Sequence, residues 1–274
     1  MTAIIIGTYN RGHLLSRSLM AYAKQRDITL IVMDDGSTDN TARLVLDYEG
    51  PSYYFFLGPK TGWRDSASYL NKGIRFALHN LKAQHVFITH PEIIPGATTI
   101  ESAVRMAADN NTWVSCKGYY LTPQQQASIE TVRWYDDLLN VRKLPGFYGS
   151  LTPEFTGNPD YTPERIEQFP VWESWIFGGG HRDMWLRFGG LTEFETWGSV
   201  DIDLLNRRRI AGINTVTPGE PSDYVVHQNH DDIAQRDMGK AMAALPTYHF
   251  ASEAFKQHLL SARIPTTPPH EPYH

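Results

Sequence analysis

Two adjacent carboxylates, Asp34 and Asp35, come directly after an apolar run that is rich in β-branched residues, Thr29 to Met33. Such a run predicts a strand buried on both faces. Open α/β sheets bind ligands at the carboxyl ends of their strands. A carboxylate at such an end can accept hydrogen bonds from a nucleobase N–H or a ribose hydroxyl. The pair therefore predicts a nucleoside site, and the alternative is that one carboxylate only caps the turn.

A second polar strand end contains Glu92. The segment His90-Pro91-Glu92 follows the apolar run His85 to Ile88. Glu92 can bind a hard cation, and His90 can serve as a ligand if the ion resembles Mn²⁺. We predict Glu92 as a ligand of a metal ion or of its bound water and His90 as a second candidate. The alternative for His90 is an ordinary polar strand end.

Two further carboxylates, Asp201 and Asp203, fall in the first turn of a predicted helix, VDIDLLNRRRIAG. They are about 200° apart around the helix, so only one can face a cleft. A carboxylate there can take a proton from a hydroxyl as a general base. The alternative is that both only complement the helix dipole. The arginine run 207–209 predicts a solvated helix end.

The order of the predicted elements indicates the fold class. Strands are predicted at Ala3 to Ile6, Thr29 to Met33, Tyr53 to Leu57 and His85 to Ile88, and a helix follows each of the first three, the last of them over Ser66 to Leu81. This β-α-β order predicts an α/β fold with a mostly parallel sheet covered by helices. Neither G-x-G-x-x-G nor G-x-x-x-x-G-K-S/T occurs, so side chains and a metal would have to hold the phosphates of a bound nucleotide.

The second half of the chain is less regular. We predict these elements: a helix over Thr98 to Asp109 after a turn at Ile94-Pro95-Gly96, a strand over Thr112 to Leu121, a strand over Ser174 to Phe177 followed by the glycines 178–180, a helix over Asp183 to Phe188, a strand over Tyr224 to Val226, and helical structure over 232–262. Residues 144–172 are rich in proline, glycine and aromatic residues, which favours a functional lid.

Bulk composition excludes several classes of protein. The 274 residues carry a net charge of −5, which argues against a broad nucleic-acid footprint. The single cysteine, Cys116, excludes an internal disulfide and a cysteine-rich zinc site. No apolar run approaches the roughly 18–20 residues that span a bilayer. The first predicted strand begins almost at the N-terminus, so we expect no signal peptide and a cytoplasmic location.

Four stretches together resemble the GT-A fold of nucleotide-sugar glycosyltransferases, most closely the inverting family 2 type. They are IIIGTYNR, IVMDDGSTDNT, the NKG at 71–73 and GGLTEFETWGSVDIDLLNRR, in the family's order and spacing over residues 3–230. The resemblance implies a Rossmann-like, mostly parallel sheet with helices on both faces and a smaller acceptor-side subregion. It implies one domain over 1–264, divided into a nucleotide-sugar half (1–97), an acceptor half (98–231) and a helical segment (232–264), with a flexible tail (265–274).

The resemblance also implies roles for particular residues. It implies a nucleoside pocket lined by Thr8, Tyr9 and Arg11, with Asp34 or Asp35 on the uracil or ribose, and Arg64 near the diphosphate. His227 resembles the family's third metal ligand, with His230 as the fallback, and Asp201 holds the position of the catalytic base. Trp197, Trp175, Glu173 and Asp203 are the predicted contacts to sugar or acceptor, and core packing is the alternative for either tryptophan.

The implied function is metal-dependent inverting glycosyl transfer. A sugar would move from a nucleotide diphosphate donor, with a UDP-sugar expected, to a hydroxyl of a carbohydrate, a protein or a modified nucleobase, as in some phage enzymes that modify DNA. Mn²⁺ or Mg²⁺ is the expected cofactor. Two positions depart from the family, since His90-Pro91-Glu92 replaces Asp-x-Asp and Val200 replaces a glutamate. The alternative from another class is a nucleotide-sugar-binding protein or a nucleotidyltransferase, although GTYNRGH is not the usual nucleotidyltransferase loop.

Overall fold

A computed structural model of the protein describes residues 1–62, 65–121, 126–127, 129, 177–193, 200, 204, 207–208, 210–218 and 223–228, with the backbone alone for 117–120. The strands are β1 (Thr2–Thr8), β2 (Ile28–Asp34), β3 (Ser52–Phe56), β4 (His85–Thr89), β5 (Ile93–Pro95), β6 (Thr112–Ser115), β7 (Lys117–Tyr120), β8 (Phe177–His181), β9 (Asn214–Val216) and β10 (Tyr224–His227). The helices are α1 (Gly12–Tyr22), α2 (Thr41–Leu46), α3 (Ser66–Arg75), α4 (Thr99–Met106) and α5 (Arg182–Phe188).

The main sheet has the strand order β3-β2-β1-β4-β8-β6-β9. Its first four strands are parallel, as the sequence predicts, and β8 runs antiparallel to both of its neighbours. The chain runs outward from β1 to β3 and then returns to form β4 on the other side of β1. The strand order therefore reverses between β1 and β4, and open α/β sheets bind ligands in the crevice at such a point.

The central strands are buried on both faces. In β1, Ile5 packs into one hydrophobic cluster while Ile4 and Ile6 pack into the other, and none of the three is exposed. This alternation is what a pleated strand between two helical layers requires. The first cluster contains Ile31, Ile74, Trp113, Trp185 and Leu204; the second contains Leu15, Tyr22, Val32, Phe87 and Val114.

The glycine run 178–180 is a strand, although the sequence predicts it as the segment after a strand. It forms most of β8, which lies between β4 and β6. The prediction is wrong because glycine disfavours strands by propensity, whereas here the lack of a side chain is what lets three strands approach. A Cβ on Gly179 would overlap the carbonyl oxygen of Val86 and lie 2.7 Å from the Cα of Phe87.

Gly179→Ala is therefore expected to destabilise the fold by about 3 kcal/mol, the upper part of the usual range for overpacking, because backbone atoms cannot move aside. Equilibrium urea unfolding measures the change. Gly62→Ala is the matched control, since a Cβ at Gly62 meets nothing within 4 Å. Equal midpoints for the two variants would contradict this account of β8.

A second sheet supports the end of the crevice. It has the order β5-β10-β7, so the single predicted strand over 112–121 is wrong: it is split at Cys116 between two sheets. The predicted turn at 94–96 is also wrong, because Ile93–Pro95 pairs with β10. These pairings are long-range, and no local pattern indicates them. The register Ile93↔His227 sets the end of β10 beside residue 92.

Two helices differ from their predictions at the ends. The predicted helix Ser66 to Leu81 is α3 followed by a π-helical turn at Phe76–Asn80, and α4 is shorter than predicted. Within the residues described, no helix combines the length and apolar character needed to cross a bilayer.

Arg207 and Arg208 are buried, and the predicted solvated helix end is wrong for both. They are 4% and 0% exposed. The guanidinium carbon of Arg208 lies 4.5 Å from the centroid of the Trp113 ring, and Nη1 donates to Thr215 Oγ1 at 3.0 Å. Arg207 stacks on Phe188 and donates to the carbonyl of Gly190. Each guanidinium group thus lies on an aromatic face and donates to an oxygen atom, a carbonyl for Arg207 and a hydroxyl for Arg208.

Candidate active site

The carboxyl ends of the parallel strands bring the predicted nucleoside residues together. Thr8 pairs with Asp34 in the sheet register, and the backbone N–H of Asp35 donates to the carbonyl of Thr8 at 2.9 Å. Tyr9 and Arg11 follow on the loop from β1 to α1. The two strand-end loops therefore border one crevice.

Asp34 and Asp35 have different environments. Asp34 Oδ1 accepts the N–H groups of Gly36 and Ser37 at 3.1 and 2.8 Å, and Oδ2 accepts the hydroxyl of Tyr54 at 2.6 Å. Burial, then the hydrogen bond to Asp34, raises the pKa of Tyr54, which keeps that hydroxyl a donor. Asp34 thus caps the turn, and Asp35 stays the predicted contact of the nucleoside.

Lys60 is a residue of this crevice that the sequence analysis misses. Its Nζ lies 2.6 Å from Asp35 Oδ2 and 4.1 Å from the centroid of the Tyr9 ring. Asp35 is almost fully buried, with a side chain 2% exposed. Lys60 lies in the loop after β3, where no periodicity or motif distinguishes one lysine from another. The contact forms because the turn after β2 packs against this loop, and the sequence alone does not indicate that packing.

Gly36 makes that packing close. Its φ is +95°, a left-handed conformation in which glycine is favoured, and a Cβ there would lie 2.8 Å from the backbone nitrogen of Lys60. The backbone that carries Lys60 is therefore held against the backbone that carries Asp35.

Side chains also tie the first two strand-end loops to each other. Asn10 donates its backbone N–H to Ser37 Oγ at 2.8 Å, and its Oδ1 accepts the N–H of Thr38 at 2.7 Å. Asp39 accepts the N–H of Gly12 at 2.8 Å and of Thr41 at 3.0 Å, which begin α1 and α2. One carboxylate therefore serves two helix starts and fixes the loop that carries Tyr9 and Arg11.

Partial burial opposes the charge of Asp39, but hydrogen bonds from Thr41 and Gly12 outweigh it and hold the pKa of this carboxyl below its ordinary value. Since the folded-state pKa is depressed, the stabilisation is present above the unfolded value of about 3.9 and is lost as pH falls through the folded value.

Asp39→Ala is expected to cost about 1 kcal/mol at pH 7, and less at pH 3. Urea unfolding at both pH values measures this. Asp47→Ala, which removes only an exposed ion pair with Arg43, is the control, and an equal, pH-independent loss in both variants would refute the capping role.

Glu92 lies between two cationic or basic groups at the end of β4. Its Oε2 is 3.6 Å from Arg11 Nη1, and its Oε1 is 3.8 Å from His227 Nε2. The backbone beside it is fixed, because Ser18 donates to the carbonyl of Pro91 at 2.6 Å and the N–H of Gln228 donates to the carbonyl of Glu92 at 3.1 Å. Glu92, Arg11 and His227 thus form a cluster at the switch point between β1 and β4.

The tautomer of His227 suits a metal ligand. Its Nδ1 lies 2.9 Å from the carbonyl oxygen of Gln228, which can only accept, so the neutral ring carries its proton on Nδ1. The lone pair is then on Nε2, the atom nearest Glu92. A histidine oriented through its other nitrogen by a carbonyl is the usual arrangement around protein-bound metals.

The residues present fit a Mg²⁺- or Mn²⁺-type ion that takes its remaining ligands from substrate and water. Glu92 and His227 offer one carboxylate and one imidazole, and Mg²⁺ commonly binds through one or two carboxylates plus phosphate oxygens. Among the residues the structure describes, no three His, Cys, Asp or Glu side chains converge into a self-sufficient site. His90, half-buried two residues before Glu92, stays a predicted ligand.

Asn71 connects α3 to the segment that precedes the predicted base. Its Oδ1 accepts the N–H of Leu191 at 2.9 Å, and its Nδ2 donates to the carbonyl of Leu191 at 2.8 Å and to Glu193 Oε1 at 3.0 Å. Val200 and Leu204 are buried in the same cluster as Ile74. The chain is therefore held against the core up to Glu193 and again at Val200 and Leu204.

Tyr69 is a second crevice residue that the sequence analysis misses. A Cβ on Gly7 would lie 2.7 Å from its ring. Burial, followed by the negative charges of Asp35, Asp65 and Glu92, raises its pKa. The phenol therefore stays neutral beside the crevice carboxylates.

Seven predicted site residues lie outside the described part of the chain, and their roles stay predictions: Arg64, Glu173, Trp175, Trp197, Asp201, Asp203 and the fallback ligand His230. The proposed lid (144–172) and the C-terminal helical segment also lie outside it.

Comparison with known proteins gives the class. The model of glycosyl transferase family 2 matches residues 3–142, and the chain belongs to this family. Two curated relatives, each named validoxylamine A glucosyltransferase, come from Streptomyces hygroscopicus subsp. jinggangensis (strain 5008) and subsp. limoneus. Both are 29% identical over 228 residues and 78% of this chain. The chain spans about half of their length, 52% and 49%.

Solved structures agree on the fold. Residues 1–349 of S. aureus TarS in complex with UDP-GlcNAc superimpose with a TM-score of 0.58 at 15% sequence identity, covering 94% of this chain and 70% of that one. The likeness confirms the predicted GT-A fold.

Proposed function

We propose that this chain is an inverting glycosyltransferase that moves a sugar from a UDP-sugar to an acceptor hydroxyl with the help of a divalent cation. The proposal depends on one observation. Residues suited to bind a nucleobase and residues suited to bind a cation border the same crevice, at the point where the strand order reverses between β1 and β4. The first group is Tyr9, Asp35 and Lys60, and the second is Arg11, Glu92 and His227. Membership of family 2, relatives named glucosyltransferases and the UDP-GlcNAc complex of TarS support it.

The charges of the crevice favour a cation as part of the bound state. Arg11 and Lys60 are each paired with a carboxylate, Glu92 and Asp35 respectively, so these four side chains sum to zero. The carboxylates of Asp34 and Asp65 lie nearby, so the described side chains carry no surplus positive charge to offset a nucleotide diphosphate, and burying uncompensated charge is costly. A divalent ion beside Glu92 and His227 restores the balance. Arg11 can then pair with the diphosphate in place of Glu92.

The chemistry is a single displacement. When bound, the cation neutralises the charge that develops on the leaving diphosphate. Asp201 takes the proton of the acceptor hydroxyl while that oxygen forms a bond to the anomeric carbon. The bond from this carbon to the diphosphate breaks on the opposite face, so the configuration inverts. Buried Val200 and Leu204, which bracket Asp201 in the sequence, favour a fixed base.

A thermal-shift screen tests the proposed donor. UDP-sugars, CDP-sugars, GDP-sugars and ADP-glucose are each added with and without Mn²⁺ or Mg²⁺. A true donor at 100 times its Kd stabilises the fold by about 2.7 kcal/mol, and we expect UDP-sugars with metal to give the largest shift. No shift with any nucleotide sugar would overturn the proposal. A shift without any UDP release over hours, tested with carbohydrate, peptide and modified-DNA acceptors, would instead indicate a binding protein.

A further inference from the structure

We propose that Lys60 selects the base of the nucleotide. Lys60 is a hydrogen-bond donor and the neighbouring Asp35 is an acceptor. This pair is complementary to a base edge on which a carbonyl lies next to an N–H, as in uracil. This inference rests on the proposed function, because it assumes that the crevice holds a nucleotide. It adds a residue that none of the four recognised stretches contains.

The contacts of the lysine leave it able to bind a ligand. Its ammonium has three N–H groups, of which one reaches Asp35 Oδ2 at 2.6 Å while the charge lies over the ring of Tyr9. An ionised carboxylate accepts at about four lone-pair positions, so a single carboxylate can accept from a lysine and from a base N–H at the same time. Tyr9 is 40% exposed. The donor, the acceptor and an accessible aromatic ring thus occur within one small part of the crevice.

The pair is held in place before any ligand binds. A lysine side chain on a free loop loses rotamer freedom on binding, at a cost of about 0.5–1.5 kcal/mol. Here the backbone of Lys60 lies against Gly36, and the ammonium is fixed between a buried carboxylate and a ring face. Most of that ordering is therefore already complete in the free protein.

Base chemistry then gives the preference. Uracil presents the O4 carbonyl beside its N3–H, so the N–H can donate to Asp35 while O4 accepts from Lys60. Cytosine presents an amino group and an unprotonated ring nitrogen at the same positions. Its amino group would face the ammonium and its lone pair would face the carboxylate, so neither pairing forms. Polar groups left unmatched in a buried site strongly disfavour the wrong ligand.

Calorimetric titration of the full chain with UDP and with CDP, both with Mn²⁺, tests this. The variant is Lys60→Met, which keeps the length of the side chain and removes its charge. We expect its affinity for UDP to fall about tenfold, the effect of one hydrogen bond from a charged group, and its affinity for CDP to stay within about twofold. Lys24→Met, at an exposed lysine after α1, is the control and should match the wild type. If circular dichroism shows that Lys60→Met folds poorly, Lys60→Gln takes its place. Glutamine keeps an N–H donor, so this variant should retain part of the preference for UDP over CDP.

The other outcomes overturn the inference. Tighter binding of UDP by Lys60→Met would mean that the lysine blocks Tyr9 and Asp35 and must leave before the base enters. An unchanged ratio of UDP to CDP affinity in both variants would mean that Lys60 does not read the base. Absence of any nucleotide binding by the wild type would instead refute the proposed function, and this inference with it.

Discussion

Asp201→Asn is expected to lower kcat by about 10²–10⁴, the usual contribution of a positioned general base. Asparagine has nearly the same shape but cannot take the proton of the acceptor hydroxyl, so the displacement loses its proton acceptor. The KM for the donor should stay nearly unchanged, because Asp201 acts on the acceptor and not on the nucleotide. Initial rates of UDP release with acceptor, together with calorimetric donor affinities, measure both parts.

Two comparisons make this test specific. Asp183→Asn removes an exposed carboxylate from the start of α5 and should leave both kcat and KM at wild-type values. Asp203→Asn tests the helical phase, since only one of the two aspartates can face the cleft. Wild-type kcat in Asp201→Asn would rule out Asp201 as the base. A loss of kcat confined to Asp203→Asn would instead identify Asp203 as the base.

Glu92→Gln is expected to remove the metal dependence of donor binding. The substitution keeps the size of the side chain but removes a charge from a side chain that is only 9% exposed and lies between Arg11 and His227. Loss of a partner that merely orients a ligand costs about 10–100-fold in metal affinity, and loss of the ligand itself should exceed that. The substitution also removes the ion pair that holds Arg11. In the absence of metal, the variant should therefore bind UDP no more weakly than the wild type does.

Titrations of UDP with and without Mn²⁺ measure both effects. Glu101→Gln, an exposed glutamate in the first turn of α4, is the control and should keep the full metal enhancement. A Glu92→Gln variant in which Mn²⁺ strengthens UDP binding as much as in the wild type would show that the ion binds elsewhere.

The parallel half of the fold can be predicted because its signals are local. Continuous apolar runs such as Thr29 to Met33 mark strands that are buried on both faces, and the polar residues that follow them mark strand ends. The observed β2, Ile28–Asp34, ends at the first of the two predicted carboxylates. In such a sheet, knowing where strands end is enough to predict where Tyr9, Asp35 and Glu92 lie.

The rest depends on partners distant in sequence. The glycines of β8 form a strand because Trp113 and Val86 lie against them, and local propensity indicates the opposite. Arg208 is buried because Trp113 and Thr215 receive it. Lys60 belongs to the site because Gly36 brings its loop to Asp35. In each case the deciding contact is tertiary, and neither residue type nor spacing encodes it.

The central claim is that the crevice between β1 and β4 binds a nucleotide diphosphate and a cation together. A crystal grown with UDP and Mn²⁺ and measured at the manganese absorption edge tests it most directly. We predict an anomalous peak between Glu92 and His227, with the uracil against Tyr9 and its N3–H on Asp35. A manganese peak away from Glu92, or UDP bound outside this crevice, would contradict the account.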